Sequence, residues 1–167
     1  LFLVGFSQKE EKQTDWEKDE LKGKVKSFTE AKYRPVEKFG EVEKGSLSLK
    51  KSYKYDESGN KTEESYYYFD GTLAFKSTYK YDGNGNEIEF AVYKSDGSLS
   101  SKTIYSYDGK GKQICAAYNS DGSLDRKWTN KYDDNGNKIE YAKYNSDGSL
   151  VKKTIYKYDK SGNKTGC

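Results

Sequence analysis

The sequence predicts an all-β protein, an antiparallel β-meander of about ten strands built from tandem repeats of about 26 residues. The first observation behind this prediction is a Tyr-Asp pair that recurs at a nearly constant interval. The second is an Asp-Gly pair that lies midway between consecutive Tyr-Asp pairs. The third is a composition with 17 Tyr and 7 Phe but only 32% hydrophobic residues, which suits a thin sheet whose side chains are half covered.

Each repeat contains two turns, which divide it into two strands. The Tyr-Asp pairs begin at Tyr55, Tyr81, Tyr107, Tyr132 and Tyr158, and the Asp-Gly pairs begin at Asp70, Asp96, Asp121 and Asp147. The Asp-x-x-Gly pattern, as in Asp82 to Gly85, favours a type I turn whose Gly takes a positive φ. The Asp-Gly pattern favours a tight hairpin turn. Because such short turns join only antiparallel neighbours, the expected architecture is an elongated, twisted or curled sheet. A curled half-barrel and a two-layer sandwich fit the same strand pattern.

The strand after each Asp-Gly turn has one aromatic face and one mostly polar face. One face carries Leu99, Ser101, Thr103, Tyr105 and Tyr107, and the other carries Ser100, Lys102, Ile104 and Ser106. The alternate strands, such as Ile88 to Tyr93, have apolar groups on both sides. The copy that contains Cys115 is one residue shorter between Ile114 and Tyr118, which predicts a bulge or an altered register in that strand.

The N-terminal residues differ from the repeats. Residues 1–7 are apolar and are interpreted as a truncated signal peptide, with a stray strand of a fragment as the alternative. Residues 8–20 form a charged linker, and residues 21–167 form the repeat domain. Within this domain, 21–55 is a divergent first copy, 55–158 holds the regular repeats, and 158–167 is an incomplete last copy after which the chain is expected to continue. The segment 33–44 contains the only proline, Pro35, and is expected to be a cap or an irregular loop.

The pattern Tyr-Asp-x-x-Gly-Asn resembles the YD repeats of the RHS family over residues 45–165. It occurs at Tyr55 to Asn60, Tyr81 to Asn86, Tyr132 to Asn137 and Tyr158 to Asn163. The resemblance implies an extracellular or cell-surface β-repeat protein. In large family members such repeats form part of a shell, and in others they are linked with carbohydrate binding. Asn or Lys stands where Arg commonly follows the Gly. A weaker similarity is to MORN-like antitoxin repeats, which also place Tyr before Asp-Gly, as in Tyr93 to Gly97.

The sequence argues against several kinds of chemistry. It contains no His, which excludes the Ser-His-Asp and Cys-His arrangements and the commonest general base. The net charge is +3 with both signs interspersed, so no nucleic-acid partner is expected. No apolar run approaches the length of a membrane helix. The acidic turn from Asp133 to Asn137 is similar to a calcium loop but lacks the distal Glu, so turn chemistry explains it better. We therefore expect no enzyme activity, no metal and no cofactor.

The candidate binding residues are aromatic residues that recur on the same strand face. They are Trp128, Tyr79, Tyr105, Tyr156, Tyr107 and Tyr132. Exposed aromatic surfaces are commonly binding sites, and Trp128 breaks the repeat. Cross-strand packing alone is the alternative explanation of these Tyr rows. The expected function is that of a secreted, periplasmic or cell-surface module that binds a carbohydrate or protein. The alternative is a purely structural scaffold or a fragment of a larger RHS-like shell. Self-association through edge strands is a further expectation.

The two cysteines, Cys115 and Cys167, are expected not to form a disulfide. Four strands separate them in a flat meander, which corresponds to about 19 Å at the usual strand spacing. A disulfide requires Cα atoms within about 7 Å.

Overall fold

The computed structural model describes residues 13–108 and 111–166 and shows an all-β meander. Ten strands form one antiparallel sheet in which each strand pairs with its neighbours in the chain, so the predicted fold class is confirmed. A helical turn, α1, spans Asp15–Lys18, and a small second sheet pairs β11 with β12. The strands are β1 Ser27–Lys38, β2 Glu41–Tyr55, β3 Lys61–Tyr67, β4 Leu73–Tyr81, β5 Glu87–Lys94, β6 Leu99–Asp108, β7 Gly111–Asn119, β8 Leu124–Tyr132, β9 Lys138–Asn145, β10 Leu150–Ile155, β11 Lys157–Tyr158 and β12 Lys164–Gly166.

The two turns of each repeat share one backbone conformation. In the Tyr-Asp turn, the Gly85 N–H donates to the Asp82 carbonyl and the Asp82 N–H donates to the Asn86 carbonyl. In the Asp-Gly turn, Lys94, Gly97 and Ser98 make the same pair of bonds. Asp-Gly therefore occupies the third and fourth positions of a four-residue turn rather than the centre of a two-residue turn. Only the Gly has a positive φ, +73° at Gly85 and +83° at Gly97, because an L side chain is strained in that region.

Aspartate closes the two turns from different positions. Asp82 is first in its turn, where its Oδ1 accepts the N–H groups of Asn84 and Asn86 and its Oδ2 accepts the Asn86 side-chain amide. Asp96 is third in its turn, where its Oδ1 accepts both the N–H and the hydroxyl of Ser98. These bonds explain the Asp-x-x-Gly-Asn and Asp-Gly-Ser patterns as turn chemistry. Across the described residues, no group of three or more acidic or Cys side chains could hold a metal ion.

A bulge follows each turn between β2 and β10. Lys80 pairs with Glu89 and Tyr81 with Glu87, which leaves Ile88 as the extra residue. In the next turn Val92 pairs with Ser101 and Tyr93 with Leu99, which leaves Ser100 as the extra residue. The strand that contains Cys115 has the same register, because Ser106 pairs with Ile114 and Tyr107 with Lys112. The expectation of a distinct bulge or altered register at Cys115 is therefore wrong. The missing residue falls in the preceding turn, where an insertion or deletion leaves the strand faces unchanged.

The segment 33–44 is also not an irregular loop. β1 and β2 form a long hairpin whose two-residue turn is Phe39-Gly40, with φ of 55° and 82°. Pro35 pairs with Lys44 next to a register shift. β1 is an edge strand, so the missing N–H of proline costs no interior sheet hydrogen bond there. The tip is uncovered, and Phe39 is fully exposed.

The sheet has two faces with different side chains. Face A carries the Tyr residues of the Tyr-Asp pairs and, two residues earlier on the same strands, Tyr53, Tyr79 and Tyr105. Face B carries Lys, Glu and a second set of Tyr residues, as in Glu140, whose carboxylate lies 3.2 Å from Lys131 and 2.9 Å from Lys153. The most covered residues are small: Ala91 and Ala142 are 0% exposed and Cys115 is 2% exposed. A single twisted sheet covers the base of each side chain with its neighbours and leaves the long ends wet.

Among the residues that the structure describes, no helix is long and apolar enough to span a bilayer.

Candidate functional site

All six predicted binding residues lie on face A. Tyr79 on β4, Tyr105 on β6 and Tyr156 after β10 take equivalent positions, and Tyr107 and Tyr132 lie two residues further along their strands. On β8 the equivalent position is Asn130, which pairs with Tyr141 as Tyr79 pairs with Phe90. Trp128 is two residues before Asn130 and is half-buried. The structure therefore places the six residues in neighbouring rows of one surface rather than in one compact cluster.

The Tyr of the Tyr-Asp pair links consecutive repeats. The hydroxyl of Tyr81 donates to the Lys61 carbonyl at 2.8 Å, and that of Tyr158 donates to the Lys138 carbonyl at 2.9 Å. Tyr107 makes the same bond to the Glu87 carbonyl at 2.6 Å. Burial raises the pKa of Tyr107, and the carboxylate of Glu87 raises it further. This row of hydroxyls has a structural role, which sequence reasoning did not identify because the acceptors are 20 residues earlier in the chain.

The second Tyr row packs against residues from the neighbouring strands. The ring of Tyr79 lies 5.3 Å from that of Phe90, and its hydroxyl donates to the Glu64 carboxylate at 3.2 Å. Burial raises the pKa of Tyr79 well above its usual value, and burial raises that of Tyr105 to about 12. Tyr156 has the Lys164 ammonium 4.4 Å from its ring centre. The rings remain partly exposed, so this row has both packing contacts and accessible surface.

Trp128 is explained by the strand beside it. It pairs with Cys115, which takes the position that Phe90 and Tyr141 take in other repeats. At the position of Trp128 those repeats have the small residues Thr103 and Thr154. Elsewhere a large residue (Phe90 or Tyr141) pairs with a small one (Thr103 or Thr154). Here the sizes are exchanged, because the small Cys115 pairs with the large Trp128. Volume-conserving exchanges of this kind preserve packing, so Trp128 has a structural reason to differ from its equivalents. Cys115 is a buried thiol, and Cys167 lies outside the described residues, so the absence of a disulfide stays a prediction.

Two grooves lie between consecutive Tyr-Asp turns, at the strand ends that these turns join. The first groove lies between the turns at Asp56 and Asp82 and has a volume of about 940 Å³. A second groove, of about 490 Å³, lies between the turns at Asp133 and Asp159. Tyr side chains line both grooves, and the Asp and Asn side chains of the turns form their rims. We call them the first groove and the last groove.

The segment 14–25 docks at the first groove. Asp15 Oδ2 accepts the N–H of Lys61 at 2.8 Å and the hydroxyl of Tyr81 at 3.3 Å. The Asp19 carboxylate lies 3.0 Å from the Lys61 ammonium and accepts the Tyr55 hydroxyl at 2.6 Å. The N–H groups of Asp15 and Trp16 donate to the Gly59 carbonyl. Residues 14–20 of this segment, expected to belong to a charged linker, are held in place by an ion pair and hydrogen bonds.

Trp16 covers the first turn. Its indole N–H donates to the Val25 carbonyl at 2.7 Å, and its ring lies 6.4 Å from that of Tyr55. A Cβ on Gly59 would lie 2.5 Å from the Trp16 ring, so only glycine fits beneath it. Burial acts to raise the pKa of Asp15, but hydrogen bonds from Lys18 and from the Lys61 N–H hold that pKa below its usual value.

One sequence signal could have revealed this docked segment. Thr14 and Glu17 form a capping box, in which the Thr14 hydroxyl accepts the Glu17 N–H and the Glu17 carboxylate accepts the Thr14 N–H. The spacing Thr-x-x-Glu is the known signature of this motif. Its docking partners could not be found in this way, because Lys61 and Tyr81 lie far away in the chain.

No family model matches the chain, and no curated protein matches it. Among solved structures, the chain is similar to a protein of unknown function from Bacteroides fragilis, with 15% identity over 76% of this chain and 92% of that one and a TM-score of 0.41. It is also similar to a porin-like protein from Bacteroides uniformis, with 15% identity over 67% of this chain and 45% of that one and a TM-score of 0.36. A third likeness is to a structure of TcdB2, TccC3 and Cdc42, with 15% identity over 86% of this chain and 8% of that one and a TM-score of 0.37. At these values the likenesses carry no functional argument, and the resemblance to YD repeats remains a prediction.

Proposed function

We propose that the protein is a non-enzymatic β-repeat module of the cell envelope or the extracellular space that binds a partner chain on face A. The observation that carries this proposal is the pair of turn-lined grooves, of which the first has a segment of polypeptide docked along one wall through backbone and side-chain contacts. A surface that binds one segment in this way has the donors, the charge and the concave shape to bind another.

Carbohydrate is the second candidate partner. Partly exposed Tyr rings lie beside Asp, Asn and Ser side chains in both grooves. Aromatic rings can stack on the apolar faces of sugars, and polar groups beside them can bind sugar hydroxyls. Trp128 and Tyr156 provide further aromatic surface on the same face.

The scaffold role supports binding rather than competing with it. The Tyr hydroxyls that join one repeat to the carbonyls of the previous repeat keep consecutive turns at a constant spacing. Two strands at the usual spacing separate equivalent turns by about 9.5 Å. Rigid, evenly spaced turns favour the recognition of an extended polymer, because little conformational freedom is lost on binding.

A pair of binding assays tests this proposal. Immobilised protein is incubated with solubilised envelope proteins and with a glycan array, and Trp128→Ala and Tyr156→Ala are compared with Lys102→Ala, which changes face B. A partner that the wild type and Lys102→Ala retain, and that the face A variants lose, is the expected result. Binding to neither source, or binding that Lys102→Ala abolishes while the face A variants retain it, would contradict the proposal. Cell fractionation tests the proposed location.

A further inference from the structure

The last groove repeats the groups that hold the docked segment in the first groove. The two sites are related by a shift of 77 residues, which relates Gly59 to Gly136, Lys61 to Lys138 and Tyr81 to Tyr158. The Tyr158 hydroxyl donates to the Lys138 carbonyl at 2.9 Å, as the Tyr81 hydroxyl donates to the Lys61 carbonyl at 2.8 Å. The turns that flank them have the same bonds, with Asn137 donating to Asp133 as Asn60 donates to Asp56.

The charge of this position differs between repeats. Lys61, Lys112, Lys138 and Lys164 are basic, whereas the repeat after Lys61 has Glu87 at the same position. In the first groove the Lys61 ammonium pairs with the Asp19 carboxylate at 3.0 Å, and the Lys61 N–H donates to Asp15. Glu87, at the same position of the following repeat, lines the first groove itself, so the basic group that pairs with the docked segment there is Lys61. Beside the last groove, Lys138 takes the position of Lys61 and carries the same charge, which suits a carboxylate ligand.

The last groove is open, with a volume of about 490 Å³. Its lining includes Ile139, Tyr156, Tyr158 and Lys160. Trp16 covers Gly59, whereas no described atom lies within 4 Å of the position that a Cβ would take on Gly136. The space directly above Gly136 is therefore free of described atoms, as it is above other turn glycines such as Gly162.

We propose that the last groove binds a short acidic, tryptophan-containing segment of a partner protein, in the way that the first groove binds residues 14–19 of this chain. One carboxylate of the partner lies on the Lys138 N–H and the Tyr158 hydroxyl, a second pairs with the Lys138 ammonium, and the indole covers Gly136. This inference rests on the proposed function, because it names the partner chemistry of one groove on face A. It depends on the chain's own segment as the example of what such a groove holds.

The test uses a labelled peptide with the sequence of residues 13–22, Gln-Thr-Asp-Trp-Glu-Lys-Asp-Glu-Leu-Lys, as the probe and fluorescence anisotropy as the measurement. The full chain is expected to bind the peptide, and Lys138→Glu is expected to weaken binding by about tenfold or more. Lys127→Glu makes the same charge change on face B and should alter the affinity less than about twofold. Tyr158→Phe gives a second variant of the groove in case Lys138→Glu does not fold. A peptide with both Asp residues changed to Asn should bind more weakly than the parent.

Several results would overturn the inference. Absence of peptide binding, or equal losses in Lys138→Glu and Lys127→Glu, would do so directly. Concentration-dependent dimers of the full chain that Lys138→Glu dissolves would assign the last groove to a second copy instead. Glycan binding that Lys138→Glu abolishes would assign it to an acidic carbohydrate. If the peptide does not bind while partner binding that depends on Trp128 persists, the proposed function stands and this inference fails.

Discussion

The first and last grooves have closely related linings, but only the first has a segment of the described chain docked along one wall. The first groove holds Asp15 on Lys61 and Tyr81, and Trp16 covers Gly59 beside it. The last groove has Lys138, Tyr158 and Gly136 at the equivalent positions, and no segment of the described chain docks there as residues 14–19 do. The repeat therefore provides groups on which a polypeptide segment can dock, and residues 14–19 use these groups at the first groove. Variants made in pairs, one in each groove, separate the contribution of the repeat from that of the docked segment.

The largest expected difference comes from the glycines of the two turns. Both Gly59 and Gly136 have a positive φ, of 84° and 83°, so Ala at either position costs about 1 kcal/mol of backbone strain. In Gly59→Ala the new Cβ also meets the Trp16 ring at 2.5 Å, and we expect a total loss of about 3 kcal/mol. Urea denaturation of the two variants measures the difference. Equal losses would show that Trp16 does not cover Gly59 in solution.

The equivalence of the two grooves requires regular repeats between them, which the Cys115 and Trp128 pair tests. Trp128→Thr should cost about 2 kcal/mol, because the half-buried ring leaves a cavity beside the small Cys115. Cys115→Phe should cost about 1 to 2 kcal/mol through overpacking.

The double variant restores the combination found in other repeats. It should be more stable than the sum of the single losses predicts, by at least about 1 kcal/mol, when measured by urea denaturation in a double-mutant cycle. Additive losses would contradict the volume exchange.

The tyrosine hydroxyls distinguish the grooves by a smaller amount. Tyr158→Phe removes one hydrogen bond to a carbonyl and should cost about 1 kcal/mol. Tyr81→Phe removes the equivalent bond and also a donor to Asp15, so we expect a slightly larger loss, of about 1.5 kcal/mol. Thermal denaturation of both variants at the same pH compares them. A larger loss for Tyr158→Phe would reverse the expected order.

The smallest effect is the pH dependence of the docked segment. Because the folded-state pKa of Asp15 is below its usual value, its contribution to stability is complete at neutral pH and is lost as the pH falls through that lowered pKa. Asp15→Asn should therefore reduce stability at pH 7 by under about 1 kcal/mol, since water screens this partly exposed group. The difference from the wild type should shrink at pH 3, as measured by urea denaturation at both pH values. A constant difference would show that the charge of Asp15 is not involved.

Much of the fold could be predicted because the interactions that define it are local. Each turn is closed by an Asp whose acceptors and donors lie within four residues, so the Asp-x-x-Gly-Asn and Asp-Gly patterns carry the information themselves. The alternation of side chains from Leu99 to Tyr107 predicted the two faces of β6, because it too depends on near neighbours. The predictions of an irregular loop at Pro35 and of an altered register at Cys115 were wrong. A proline is compatible with an edge strand, and a gap in a repeat can be absorbed by a turn.

The meander, the repeat length and the six aromatic residues of face A follow from the amino-acid sequence alone, because turn chemistry and two-residue periodicity act between near neighbours. The contacts of those residues depend on the tertiary structure. The tertiary structure shows that Tyr81 and Tyr158 join consecutive repeats, that Trp128 compensates for Cys115, and that Asp15 docks at the first groove. These contacts connect residues separated by one strand or by several, and their partners are chosen by strand register and sheet twist, which no short stretch of sequence contains.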